Sequence, residues 1–177
     1  DVLFLGDNLI VPNTLIRRGY TVSSFPRSSG YNILSDEDKG FDIIILFDNI
    51  THEQTLIKLL EEGSSILNPR GLIIANIQNS LFIERIHHIF KGNFSIAAFD
   101  SSLKYPLSCL SRPEIMASGE VAALELMYLI GFASKPTPEF QKIFKEICNL
   151  SPDSSSLKEE LCIEEYLAVW QKSQFRD

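Results

Sequence analysis

The chain opens on a four-residue apolar run, Val2–Leu5, that stops at Gly6-Asp7-Asn8. Run and stop read as a short buried strand followed by a turn, because Asp and Asn close turns through their own side chains. Over residues 9–18, Leu9, Pro12, Leu15 and Ile16 recur at helical spacing. Pro12 is tolerated there because it lies near the helix start. Gly19 ends the helix, and residues 20–25 form a second strand. A loop over 26–30 leads to a short third strand at 31–34 and an acidic loop at 35–39. Residues 41–47 are a nearly unbroken β-branched run, the mark of a central strand covered on both faces.

The pattern continues with Thr51 as a helix cap and Leu56, Ile57, Leu59 and Leu60 as a buried stripe. Asn68-Pro69-Arg70-Gly71 fits a type I turn, and residues 72–77 a strand. Phe82, Ile83, Ile86, Ile89 and Phe90 predict a helix over 80–90. Residues 91–113 are the least regular part and contain two prolines, Pro106 and Pro113. Residues 118–131 predict a helix with Val121, Leu124 and Tyr128 on one face, closed by Gly131, then a strand at 132–134. Residues 138–149 read as helix and 151–156 as a polar loop. In the last strand, 163–171, Tyr166, Ala168 and Trp170 alternate against Leu167 and Val169.

Strand and helix alternate up to about residue 90, which implies right-handed βαβ units and a parallel sheet. The expected fold is α/β, Rossmann-like, with a mostly parallel central sheet of about seven strands flanked by helices. The last strand is expected to insert antiparallel. One domain is expected over residues 1–177, and a start inside a strand without Met predicts an excerpt of a longer chain.

Composition narrows the function classes. With 177 residues and 45% hydrophobic content, the chain suits a single sizeable core. Its net charge of −7 repels phosphate backbones, so no nucleic-acid partner is expected. No apolar run approaches the roughly 18 residues of a membrane span, so no membrane insertion is expected. No signal-peptide pattern is visible. Cys109, Cys148 and Cys162 are odd in number and lack metal-like spacing, which points to a reduced, cytoplasmic setting and no metal site.

Four strings in order, VLFLG, FDIIILFDNITH, LLEEGSSILNPRGLIIANIQN and GF followed by EEYLAVWQK, resemble landmarks of class I S-adenosylmethionine-dependent methyltransferases. The resemblance is nearest to the small domains associated with glycosyltransferases. It implies S-adenosylmethionine as cofactor, a small-molecule or sugar-related acceptor, and a possible fused glycosyltransferase domain. Three places depart from the family pattern. The turn after the first strand has one glycine, Gly6, where the family carries several that let backbone approach the cofactor. Phe25-Pro26-Arg27 stands where the family ends strand two in a carboxylate that holds the ribose. Glu114-Ile115-Met116 replaces a His-Leu-Arg tract. The competing expectation is therefore a methyltransferase-like module that binds a ligand or serves assembly without catalysis. A nicotinamide-binding domain is disfavoured, since the G-x-G-x-x-G turn and its following acid are both absent.

The resemblance places Gly6, Asp7 and Asn8 at the cofactor, although Asp7 and Asn8 equally suit a turn and helix cap. Asn32 falls near the adenine. Asp48 and Asn49 would face the transferable methyl. His52, which titrates in a useful range, would orient an acceptor hydroxyl or act as its base, with Asp48 as the other catalytic candidate. Asn76, Gln78 and Asn79 either line an acceptor pocket or cap the next helix. His87 and His88 are adjacent and so point to different sides of a helix. Glu61, Glu62, Glu159 and Glu160 are expected on solvated helix faces, and the cysteines in packing.

Overall fold

All four residues of β1 (Val2–Leu5) are buried, as an all-apolar strand with both faces covered requires. A computed structural model describes residues 1–26, 40–50, 53–84, 86, 110–150 and 154–172. After β1 the chain forms α1 (Ile10–Arg17), β2 (Val22–Phe25), β3 (Phe41–Ile50), α2 (Glu53–Ile66) and β4 (Leu67–Gln78). Then follow α3 (Arg112–Val121), β5 (Leu124–Ala133), α4 (Pro138–Leu150), α5 (Ser154–Cys162) and β6 (Ile163–Lys172). Among the described residues the six strands make one sheet in the order β2-β1-β3-β4-β6-β5. The pairs β1–β2, β1–β3 and β3–β4 are parallel, while β6 runs antiparallel between β4 and β5. This is the Rossmann-like sheet expected from the alternation, with the last strand reversed as expected. The strand expected at 31–34, Thr51 and most of the helix expected over 80–90 lie outside the described residues.

The main core joins one face of the sheet to α2 and α3. Leu3, Ile44, Ile73, Ala75, Ala168 and Trp170 pack with Leu56, Leu59 and Leu60 of α2 and Ile115 of α3. A second, smaller core holds Phe82, Ile83, Phe140, Cys148 and Leu161, joining α4 and α5 to the segment after β4. Since β4 and β5 run in one direction and α4–α5 link the end of β5 to the start of β6, this core sits at the carboxyl ends of the parallel strands.

Three sequence expectations need correction. Residues 118–131 are not a helix: α3 starts at Arg112 and ends at Val121, and β5 occupies Leu124–Ala133. A capping box between Ser111 and Glu114, with Pro113 in the first turn, fixes the start. Ala123, at φ 57°, then turns the chain away from the helix. Val121 and Tyr128 are 60% and 62% exposed while Leu124 is buried, so their helical spacing marks no common face. Residues 68–71 do not form a type I turn, because Arg70 at the third position has φ 67°, a sign that type II uses there. Finally, the serines at 154–156 belong to α5 rather than to a loop.

Candidate functional site

The strand order reverses at β1, with β2 on one side and β3 on the other. In open α/β sheets such a reversal leaves a crevice outside the carboxyl ends of the strands. Leu5 is in register with Leu46, so Gly6 and Phe47 follow on neighbouring strands. Gly6 has φ 155°, and a Cβ added there would lie 2.8 Å from the Phe47 carbonyl oxygen. The Gly6 amide donates to the Phe25 carbonyl at 3.0 Å. One glycine thus pins the tips of β2, β1 and β3 together. The Phe4 and Phe47 rings stack with centroids 6.1 Å apart.

Beyond Gly6, Asp7 is exposed and Asn8 is half-buried. The Asn8 side-chain oxygen accepts from the Ile10 amide at 2.8 Å, an Asx turn of the kind its turn alternative required, while the N-cap of α1 itself is Leu9 with no side-chain cap bond. Leu9 and Ile10 are 69% and 75% exposed and do not plug the crevice. Phe25 packs against the main core instead.

Asp48 and Asn49 lie in β3 near its carboxyl end. Pairing with β4 steps from Leu46–Ala75 to Ile50–Ile77, so four residues of β3 advance against two of β4. The strand therefore bulges where Asp48 and Asn49 sit, a device common beside functional sites. Gly6, Asp7, Asn8, Asp48 and Asn49 are gathered at one end of the sheet. Asn32 and His52 lie outside the described residues, as do His87, His88, Cys109 and the side chains of Asp48 and Asn49.

The end of β4 carries a polar network. Asn79 is fully buried and donates to the carbonyls of Glu160 and Ile163, both at 2.8 Å. Its side-chain oxygen accepts from the Leu81 amide at 3.0 Å. These bonds use Asn79 as a staple between β4, α5 and β6 and leave it no pocket role. The Asn76 side chain donates to Glu165 at 3.1 Å, while its own oxygen is buried without a partner.

Next to this staple, Arg112 Nε lies 2.6 Å from Glu160 Oε1, and the Tyr166 hydroxyl donates to Glu160 Oε2. The Arg112 guanidinium also sits 5.8 Å from the centre of the Tyr166 ring. Glu160, expected on a solvated face, is 12% exposed and tied to both neighbours. Residue spacing gives no hint of this cluster, which joins α3, α5 and β6 through the fold. Among the described residues no group of three His, Cys, Asp or Glu side chains is placed to hold a metal ion.

Burial and then the Glu160 hydrogen bond push the Tyr166 phenol above its ordinary value, against the smaller opposing effect of Arg112. The native state therefore holds this proton more tightly than the unfolded chain. That stabilisation is whole below about pH 10 and falls as pH rises above it. Urea unfolding between neutral pH and pH 11 is expected to show the decline, and Tyr166→Phe to flatten it. An unchanged slope in that variant would contradict the assignment.

No protein-family profile matches the chain, nor does any curated protein sequence. Solved structures do match in fold. Magnesium protoporphyrin IX methyltransferase from Synechocystis PCC 6803, with bound SAH, superposes with a TM-score of 0.59 at 8% identity, covering 97% of this chain and 74% of that one. Mycolic acid cyclopropane synthase CmaA1, complexed with SAH, gives 0.56 at 10% identity over 97% and 77%. Geranyl diphosphate C-methyltransferase from Streptomyces coelicolor A3(2), with S-adenosyl-L-homocysteine, gives 0.51 at 13% over 97% and 72%. The chain has the fold of class I S-adenosylmethionine-dependent methyltransferases.

Proposed function

We propose that the chain binds S-adenosylmethionine at the joined tips of β1 and β3 and transfers its methyl group to a small-molecule or sugar-related acceptor. The observation that carries this reading is Gly6: it stands at the reversal of strand order, where a Cβ would collide with β3 and where the tips of β1, β2 and β3 converge at the mouth of the crevice. Asp7, exposed beside it, supplies a carboxylate for the cofactor's ammonium group. Bound S-adenosylmethionine supplies an electrophilic methyl group on sulfur. The protein's part is alignment of the acceptor, with a base where the acceptor is a hydroxyl. Asp48, Asn49 and His52 are assigned to that part and Asn32 to the adenine. A fused glycosyltransferase domain and a cytoplasmic setting belong to the same reading.

A second reading is favoured by two observations at the strand tips. Asn8 already spends its side-chain oxygen on α1, and Phe25-Pro26 ends β2 without a carboxylate for the ribose. A module with these features binds a ligand or positions a neighbour without catalysis. Thermal unfolding with S-adenosylmethionine and S-adenosylhomocysteine separates the two. A hundredfold excess over Kd adds about 2.7 kcal/mol, a rise of roughly 5–10 °C for a domain of this size. No shift with either compound would overturn the first reading, while a shift without methyl transfer to any sugar acceptor would favour the second.

A further inference from the structure

β5 is the outermost strand on its side of the sheet. It pairs with β6 along one edge, and among the described residues nothing pairs with the other. Natural edges are protected by short length, proline, lysine or bulges that twist them away. β5 is ten residues long, LELMYLIGFA, with no proline or lysine and one carboxylate, Glu125; its register with β6 shifts at Met127 and again between Phe132 and Ala133. Its register with β6 sets Tyr128, Ile130 and Phe132 opposite Val169, Leu167 and Glu165, so all three share a face. They are 62%, 49% and 53% exposed, and Met127 is 40% exposed.

We propose that the outer edge of β5 pairs antiparallel with the same edge of a second copy, joining two sheets across a two-fold axis. An antiparallel strand is complementary to itself, so this contact needs no other surface and closes on formation. Charge favours the same edge. The chain carries −7, so most of its surface repels a second copy, whereas β5 holds only Glu125. Pairing centred on Leu129 sets Glu125 against the partner's Ala133 and Tyr128 against the partner's Ile130. The first pair avoids a like-charge contact, and the second is the aromatic–β-branched kind that stabilises sheets. The exposed parts of Met127, Tyr128, Ile130 and Phe132 come to roughly 400 Å² per copy, at about 200 Å² for a large side chain. Edge pairing covers the two backbone edges and only the flanks of these face-pointing side chains, so the buried area falls below the roughly 1,000 Å² of a tight specific interface and the dimer is of the weak, concentration-dependent kind.

Sedimentation velocity from low to high micromolar concentration tests the proposal on the unaltered chain, with Tyr128→Lys and Ile130→Lys as variants. The expected result is a monomer–dimer equilibrium whose Kd rises at least roughly tenfold in each variant. Hydrogen exchange needs no variant and is expected to slow in β5 as concentration rises. A chain that stays monomeric throughout would overturn the proposal. So would a dimer indifferent to both lysines, open-ended oligomers, or concentration-independent exchange in β5.

Discussion

Trp170→Ala is expected to cost about 4 kcal/mol of stability and to lower the melting temperature by roughly 10 °C. Trp170 is fully buried and sits on β6, in register with Ile73 of β4 and Leu126 of β5. It therefore lies where the parallel part of the sheet meets the antiparallel part. α3 presses on the indole through Gly119, whose missing side chain makes room for the ring; a Cβ there would collide with it. Removing the ring leaves a cavity between α3 and three strands that collapse cannot fill. Trp170→Phe separates volume from polarity. The indole N–H is buried with no hydrogen-bond partner, so losing it removes an uncompensated donor. Phe is expected to cost much less than Ala, about 1 kcal/mol, for the smaller ring. Urea unfolding followed by circular dichroism reads both variants. Equal losses for Phe and Ala would mean that the N–H, not the packing, holds the strands.

Trp170 was legible in the sequence because β6 alternates in single residues, with Tyr166, Ala168 and Trp170 on one side. β1 and β3 were legible for a different reason: unbroken apolar runs ending in polar tips specify covered parallel strands. The meeting of Gly6 with the end of β3 followed from those two strands. What failed was read from periodicity alone. Val121, Leu124 and Tyr128 match helical spacing by coincidence, while Ser111 and Glu114, three apart ahead of Ile115, carried the true helix start. The Arg112–Glu160–Tyr166 cluster left no trace, since its members are distant in sequence and Glu160 resembles any surface helix glutamate. Partnered charges of this kind become visible only when the fold brings the elements together.

The second large effect is expected at Gly6. Gly6→Val should destabilise the chain by about 3 kcal/mol, from backbone strain and forced contact together, and should abolish any stabilisation by S-adenosylmethionine. The first consequence follows from φ 155° and from a Cβ position 2.8 Å from a backbone oxygen of β3, which is too rigid to yield. β1 and β3 would have to separate at their tips, and the Gly6–Phe25 bond to β2 would be strained with them. The second consequence follows from the proposed function, which assigns the ligand to these tips. Leu9→Gly is the contrast. Leu9 is 69% exposed, so its loss removes little packing. The change gives the turn a second glycine and is expected to leave folding nearly intact while strengthening the ligand-induced shift. Differential scanning fluorimetry with and without S-adenosylmethionine reads all three proteins. A wild-type shift that survives Gly6→Val would move the ligand away from the β1 tip, whereas Gly6→Val with wild-type stability would mean that the three strands do not meet there.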